Sequence, residues 1–280
     1  MKAALFSALL SLAIAAPAFA TTEDQAASEY SKREFSEAGI GHAREAAKLY
    51  GELAASASDN NAKAKFLTSQ SQSQYFVGNA SSDNGTKKDQ HWAGYQSASE
   101  ALRLLGVDDP QRADAGQLKG LPVEQRTMIA EALYHRGANL GMWGQANGVV
   151  SSLGRWPELR KYMELIEEIG MASHRDFGAA RTLGRGYYKI PRLLGGSMDR
   201  AYEYLSNAVN QTKVSGQPFS RNGYNNTFYA EVLNAQGRTD EAIEMLKAFV
   251  AASPENVDRN EVPEIRQSQR EAADLISAWE

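Results

Sequence analysis

Apolar residues in this chain recur every three or four positions and almost never alternate, a spacing that restricts the fold to packed α-helices. Leu159, Tyr162, Met163, Ile166 and Ile169 make one such stripe, and Ala242, Ile243, Leu246, Phe249 and Val250 make another. Shorter stripes run through Ala98 to Leu105, Ala201 to Val209 and Ala272 to Trp279. Between them stand clusters of Gly, Pro, Asn, Asp and Ser at 81–85, 106–110, 215–218 and 253–260, which read as turns. The pattern predicts an all-α protein of about eleven to thirteen helices in one compact array, because no Pro-rich or Ser-rich linker divides it.

The first twenty residues have a different character. Lys2 precedes an apolar run from Ala3 to Ala16 that is too short to span a bilayer, and Pro17 then breaks the helix. Ala18-Phe19-Ala20 has the small-x-small pattern of a cleavage site. Residues 1–20 are therefore expected to be a signal peptide cut after Ala20, delivering residues 21–280 to the periplasm. The chain has no cysteine, so it is expected neither to be a lipoprotein nor to rely on disulfides. Thirty Lys and Arg face 34 Asp and Glu, a net charge of −4. That whole-chain balance disfavours nucleic acid and anionic membrane surfaces, which attract clustered cations.

Do the helices repeat? The segment from Tyr229 to Asn256, YAEVLNAQGRTDEAIEMLKAFVAASPEN, places Ala230 and Ala242 where two antiparallel helices cross closely. Gly237 takes the turn between them and Pro254 the stop. The segment resembles a tetratricopeptide repeat, a helix pair of about 34 residues. A partial copy of its second helix, DRAYEYLSNAV, begins at Asp199, and degenerate pairs are expected at 25–57 and 62–105.

Signals for catalysis are weak. His42, His91, His135 and His174 are scattered without ligand spacing, so no metal site, cofactor or catalytic residue is expected. The string HRDFG at His174 to Gly178 has neither a Gly-rich loop nor a strand lysine to support a kinase reading. Adjacent acids such as Glu167 and Glu168 point to different faces of a helix and do not make an acid/base pair.

Two segments carry unusual chemistry. In Glu131 to Pro157, Tyr134, Trp143 and Trp156 mix with Gly137, Gly141, Gly144 and Gly148 at three- and four-residue spacing. Such glycines let either a second helix or a ligand approach closely. In Gly186 to Met198, Pro191 breaks a helix and Gly195-Gly196 turns the chain, leaving Tyr187, Tyr188, Lys189 and Arg192 for a ligand. The alternative for that loop is an apolar plug of Ile190, Leu193 and Leu194.

The order ALYHRGANLGMW, RWPELRKYMELIEEI and YYKIPRLLGGSMDRAYEYLSNAV resembles the T component associated with TRAP transporters, the TatT family, over the central third of the chain. The resemblance implies an extracytoplasmic helical-repeat protein that assembles as a trimer, encloses a small hydrophobic ligand and docks a solute-binding subunit. Family members are often lipoproteins, and the absence of cysteine departs from that pattern. The expected function is a periplasmic accessory binding protein of a TRAP-type uptake system, not an enzyme. Its expected ligand or partner site runs along Tyr134, Asn139, Trp143, Tyr187, Tyr188 and Arg192, where aromatic rings supply apolar area and Asn139 and Arg192 orient a polar end. The alternative is a periplasmic protein-interaction scaffold without a small ligand.

Overall fold

The computed structural model describes residues 21–280, so the signal-peptide reading lies outside the described residues. Each helical stripe of the sequence becomes a helix, and for the first four helices the polar residue before it becomes the cap. Helix α1 (Glu23–Ser31) is capped by Thr22 and α2 (Glu37–Ser56) by Ser36, each side chain accepting from a backbone N–H of the first turn. Asp59 and Asp83 do the same for α3 (Asn60–Ala80) and α4 (Asn84–Leu104). The short α5 (Ala115–Lys119) bridges to α6 (Val123–Ala146) and α7 (Val149–Glu168). Helix α8 (His174–Lys189), a 3-10 turn at Arg192–Leu194 and α9 (Met198–Gln211) follow. The chain ends with α10 (Gly223–Ala235), α11 (Thr239–Ala251), the short α12 (Pro254–Val257) and α13 (Val262–Trp279).

Consecutive helices pack as antiparallel pairs in a helical-repeat array. Helices α3, α6, α8, α10 and α13 each touch the next in that order, forming an inner layer, while α2, α4, α7, α9 and α11 cover it from outside. The apolar stripes meet between the layers: Tyr162, Met163, Leu165, Ile166, Leu133 and Leu183 are essentially inaccessible. All inner helices run in one direction, so the array has two unlike rims. Their C-terminal ends define one rim, where Asn84 donates to the carbonyl of Ala146. Their N-terminal ends define the other, where Arg126 donates to the carbonyl of Ile169 at 2.8 Å.

The tetratricopeptide-like pair forms as expected. Ala230 and Ala242 are fully buried at the α10–α11 crossing, and Gly237 turns the chain at φ +79. Pro254 does more than stop α11: it opens α12, at a position where its missing N–H costs nothing. The glycines of α6 also receive a clear assignment. A Cβ on Gly137 would lie 2.3 Å from Met163 Cε, one on Gly141 2.8 Å from Leu159, and one on Gly144 3.1 Å from the Ser152 backbone. All three neighbours belong to α7, so these glycines admit a helix, not a ligand.

The two ends of the array meet. Arg33, in the α1–α2 turn, is 5% exposed and reaches α13, where it donates to Glu264 and to the carbonyl of Asn260. The inner layer is thereby closed into a ring, and a crevice of about 110 Å³ lined by Glu34, Phe35, Pro263, Arg266 and Arg270 marks the seam.

Candidate functional site

The inner helices turn a second stripe, polar and aromatic, toward the axis of the ring. Tyr75 comes from α3, Tyr134 from α6, Arg181, Arg185 and Tyr188 from α8, and Tyr224 and Phe228 from α10. The four tyrosines and Phe228 are half-buried, enclosed by helices yet still reachable by solvent. Burial pushes the Tyr75 and Tyr224 phenols above their ordinary range, and Tyr134 is close enough to both to add to the shift. Three half-buried tyrosines from three inner helices therefore lie near enough to interact electrostatically.

Toward the N-terminal rim the axis is closed by charge. Burial alone would raise the Glu131 carboxyl, but the Arg175 guanidinium, with bonds from Arg175, His135 and His174, holds it well below the ordinary range. In the amide orientation that satisfies both groups, Gln72 accepts from the Tyr30 hydroxyl and from Arg175, each at 3.2 Å. Burial, with the charge of Arg175 beside it, lowers the His135 pKa against the pull of Glu131.

Arg175 reaches this position on unusual backbone. Arg175, Asp176 and Phe177 all have positive φ, between 53 and 58, and left-handed L-residues cost about 1–2 kcal/mol each. The run persists because its carbonyls are held: Arg181 donates to the carbonyls of Arg175 and Asp176, and Asn225 to that of Asp176. Arg181 also donates to the Tyr134 hydroxyl at 2.8 Å and to Asn225 at 3.1 Å. Strain of this kind concentrates where a side chain must be held in one place. The HRDFG string is this turn.

Toward the other rim, Arg185 lies over the Phe228 ring at 4.3 Å and near Tyr188, and pairs with Glu231. Burial brings its pKa down to about 10. Lys189 shares Glu231 at 2.9 Å.

The six residues expected from sequence do not form one site. Tyr134 and Tyr188 face the axis. Asn139 is fully buried among α3, α4 and α6, where it donates to Ser71 and to the carbonyl of His135 and accepts from His91 Nδ1 at 3.1 Å. Its bonds hold helices together, so it has none left to orient a ligand. Trp143 lies on the outer face against Trp92 at 5.2 Å and beneath Arg155 at 5.4 Å. Tyr187 is buried between Trp156 and Tyr204. Arg192 stands exposed on the 3-10 turn. Leu193 and Leu194, 98% and 55% exposed, do not plug the loop; only Ile190 packs on the core.

Sequence reasoning missed Tyr75, Glu131, Arg175, Arg181, Arg185 and Tyr224. The signal was available as the spacing Arg181, Arg185, Tyr188 and Tyr224, Phe228, a polar and aromatic stripe at helical period opposite the apolar one. Among the described residues no group of His, Asp and Glu has metal-binding geometry. No protein-family model matches the chain, and no curated protein is similar to it.

Proposed function

We propose that this protein is a non-catalytic accessory binding protein of the periplasm that holds a small amphipathic molecule along the axis of its helical ring, in the service of a TRAP-type uptake system. The observation that carries the reading is the half-buried aromatic stripe of the inner helices, with Tyr75, Tyr134 and Tyr224 on three of them and Arg185 lying over Phe228 and near Tyr188. Phenol rings offer apolar faces and hydroxyl edges, and Arg185 offers a cation to a carboxylate end. The transporter assignment rests on the motif resemblance around ALYHRGANLGMW and IPRLLGGS. In that reading the solute-binding subunit is the partner, the assembly is a trimer, and no cofactor is required.

Native mass spectrometry of residues 21–280 tests the reading. A trimer that releases a small organic acid on activation supports it, and Tyr134→Ala with Tyr224→Ala should lose that ligand while Lys247→Ala keeps it. A ligand-free monomer, with wild type and variants indistinguishable, overturns it in favour of a protein-interaction scaffold.

A further inference from the structure

The loop after α8 is tied by backbone hydrogen bonds, yet it displays its largest apolar side chains. Leu194 N–H donates to the Pro191 carbonyl at 2.8 Å, Gly196 N–H to the same carbonyl at 3.1 Å, and Ser197 N–H to the carbonyl of Tyr187 at 3.0 Å. Tyr187 is itself fixed between Trp156 and Tyr204, and Arg200 donates to its hydroxyl at 2.9 Å. A loop so constrained does not expose leucines through looseness. Leu193 is 98% exposed, and Leu194 and Met198 are exposed beside it. Val150, 86% exposed, opens α7 at the same rim. Four of the seven large apolar side chains that stand in solvent among the described residues thus gather at one rim.

Cations stand beside the same leucines. Lys189, Arg192 and Arg200 flank the leucines, Asp199 lies among them in sequence, and Lys189 is paired with Glu231. At the opposite rim the turns that enter the inner helices mix exposed acids, Asp108, Asp109 and Asp114, with exposed cations, Arg112 and Lys119. The net charge of −4, which disfavoured an anionic surface when read from sequence, leaves room for the local group of exposed cations beside the leucines. An anionic plane would attract Arg192 and Arg200 and so present the exposed leucines to it.

We propose that this rim docks on an anionic lipid bilayer, Leu193 and Leu194 entering the headgroup boundary and the exposed Arg192 and Arg200 facing lipid phosphates. A projecting aliphatic pair ringed by cations suits a fluid interface. A rigid protein partner would need roughly 800 Å² per side, centred on packed aromatic residues, which two leucines on a 3-10 turn do not offer. The contact is reversible and does not depend on what the interior holds.

Flotation of residues 21–280 with vesicles tests it, using phosphatidylcholine alone and an equal mixture with phosphatidylglycerol. The protein should float with the mixed vesicles and stay behind with the neutral ones. The double variant L193D/L194D should lose about tenfold or more in vesicle binding, since carboxylates replace the inserted groups. R192E should weaken binding and lessen its dependence on phosphatidylglycerol. Both sets of substitutions are on exposed side chains, and an unchanged thermal melt verifies the fold. The proposal is overturned if wild type floats with neither vesicle, or if L193D/L194D floats as well as wild type. It is equally overturned if the leucine variants change only the oligomer mass in size-exclusion chromatography, which would make the turn a protein contact.

Discussion

Arg33 and Glu264, 231 residues apart, form a two-pronged ion pair: Nε donates to Oε1 at 2.8 Å and Nη2 to Oε2 at 3.0 Å. Arg33 also stacks on the Tyr30 ring at 4.4 Å, and its side chain retains only 6% accessibility. Removing one partner of a buried pair leaves the other charge unpaired, at a cost of about 3–5 kcal/mol. Arg33→Ala should therefore lower the urea midpoint and speed amide exchange in α1 and at the start of α13, while the α6–α7 pair stays protected. Unchanged exchange at both ends would show that the seam does not depend on this pair.

The seam should respond to pH. Burial and the neighbouring Glu264 push the Glu261 carboxyl up to about 7, against the attraction of Arg33 and Arg175. A carboxyl raised on folding binds its proton more tightly in the native state, so its contribution is present below its ordinary pKa and is lost as pH rises through about 7. Glu261→Gln should flatten that part of the stability profile, measured as urea midpoint against pH. A variant with the wild-type slope would refute the assignment.

His91 works in the opposite sense. Its Nδ1 faces Asn139 Oδ1, its Nε2 is buried without a partner, and burial lowers its pKa to about 4. Between the ordinary histidine value and about 4, the unfolded chain takes up a proton that the folded chain refuses. Stability should fall on acidification by up to roughly 3 kcal/mol from this group. The ring resonances of His91, followed by NMR, should hold their neutral positions at pH 5; titration near 6.5 would sink the account.

The Gly195-Gly196 pair should be unequal. Gly195 adopts φ +97 with open space around it, so Gly195→Ala costs about 1 kcal/mol of backbone strain. A Cβ on Gly196 would lie 1.8 Å from the Ile190 carbonyl oxygen, which is backbone and cannot swing aside. Gly196→Ala should cost more than Gly195→Ala, about 2 kcal/mol or above, in thermal denaturation of the two variants. Equal losses would mean that the loop is softer than its hydrogen bonds imply.

The sequence by itself determined the helices, their pairing and their turns, because apolar spacing fixes which face of each helix is buried and a glycine such as Gly237 fixes where the chain reverses. It also isolated the Pro191 to Gly196 loop, since Pro191 cannot continue α8 and Gly195 takes up positive φ. Only the tertiary structure decided which polar stripe faces the axis, that Asn139 binds helices together, and that Leu193 points into solvent. Those outcomes depend on how each helix pair is rotated against the next. The angles accumulate until Arg33 meets Glu264, and no local spacing of residues records that sum.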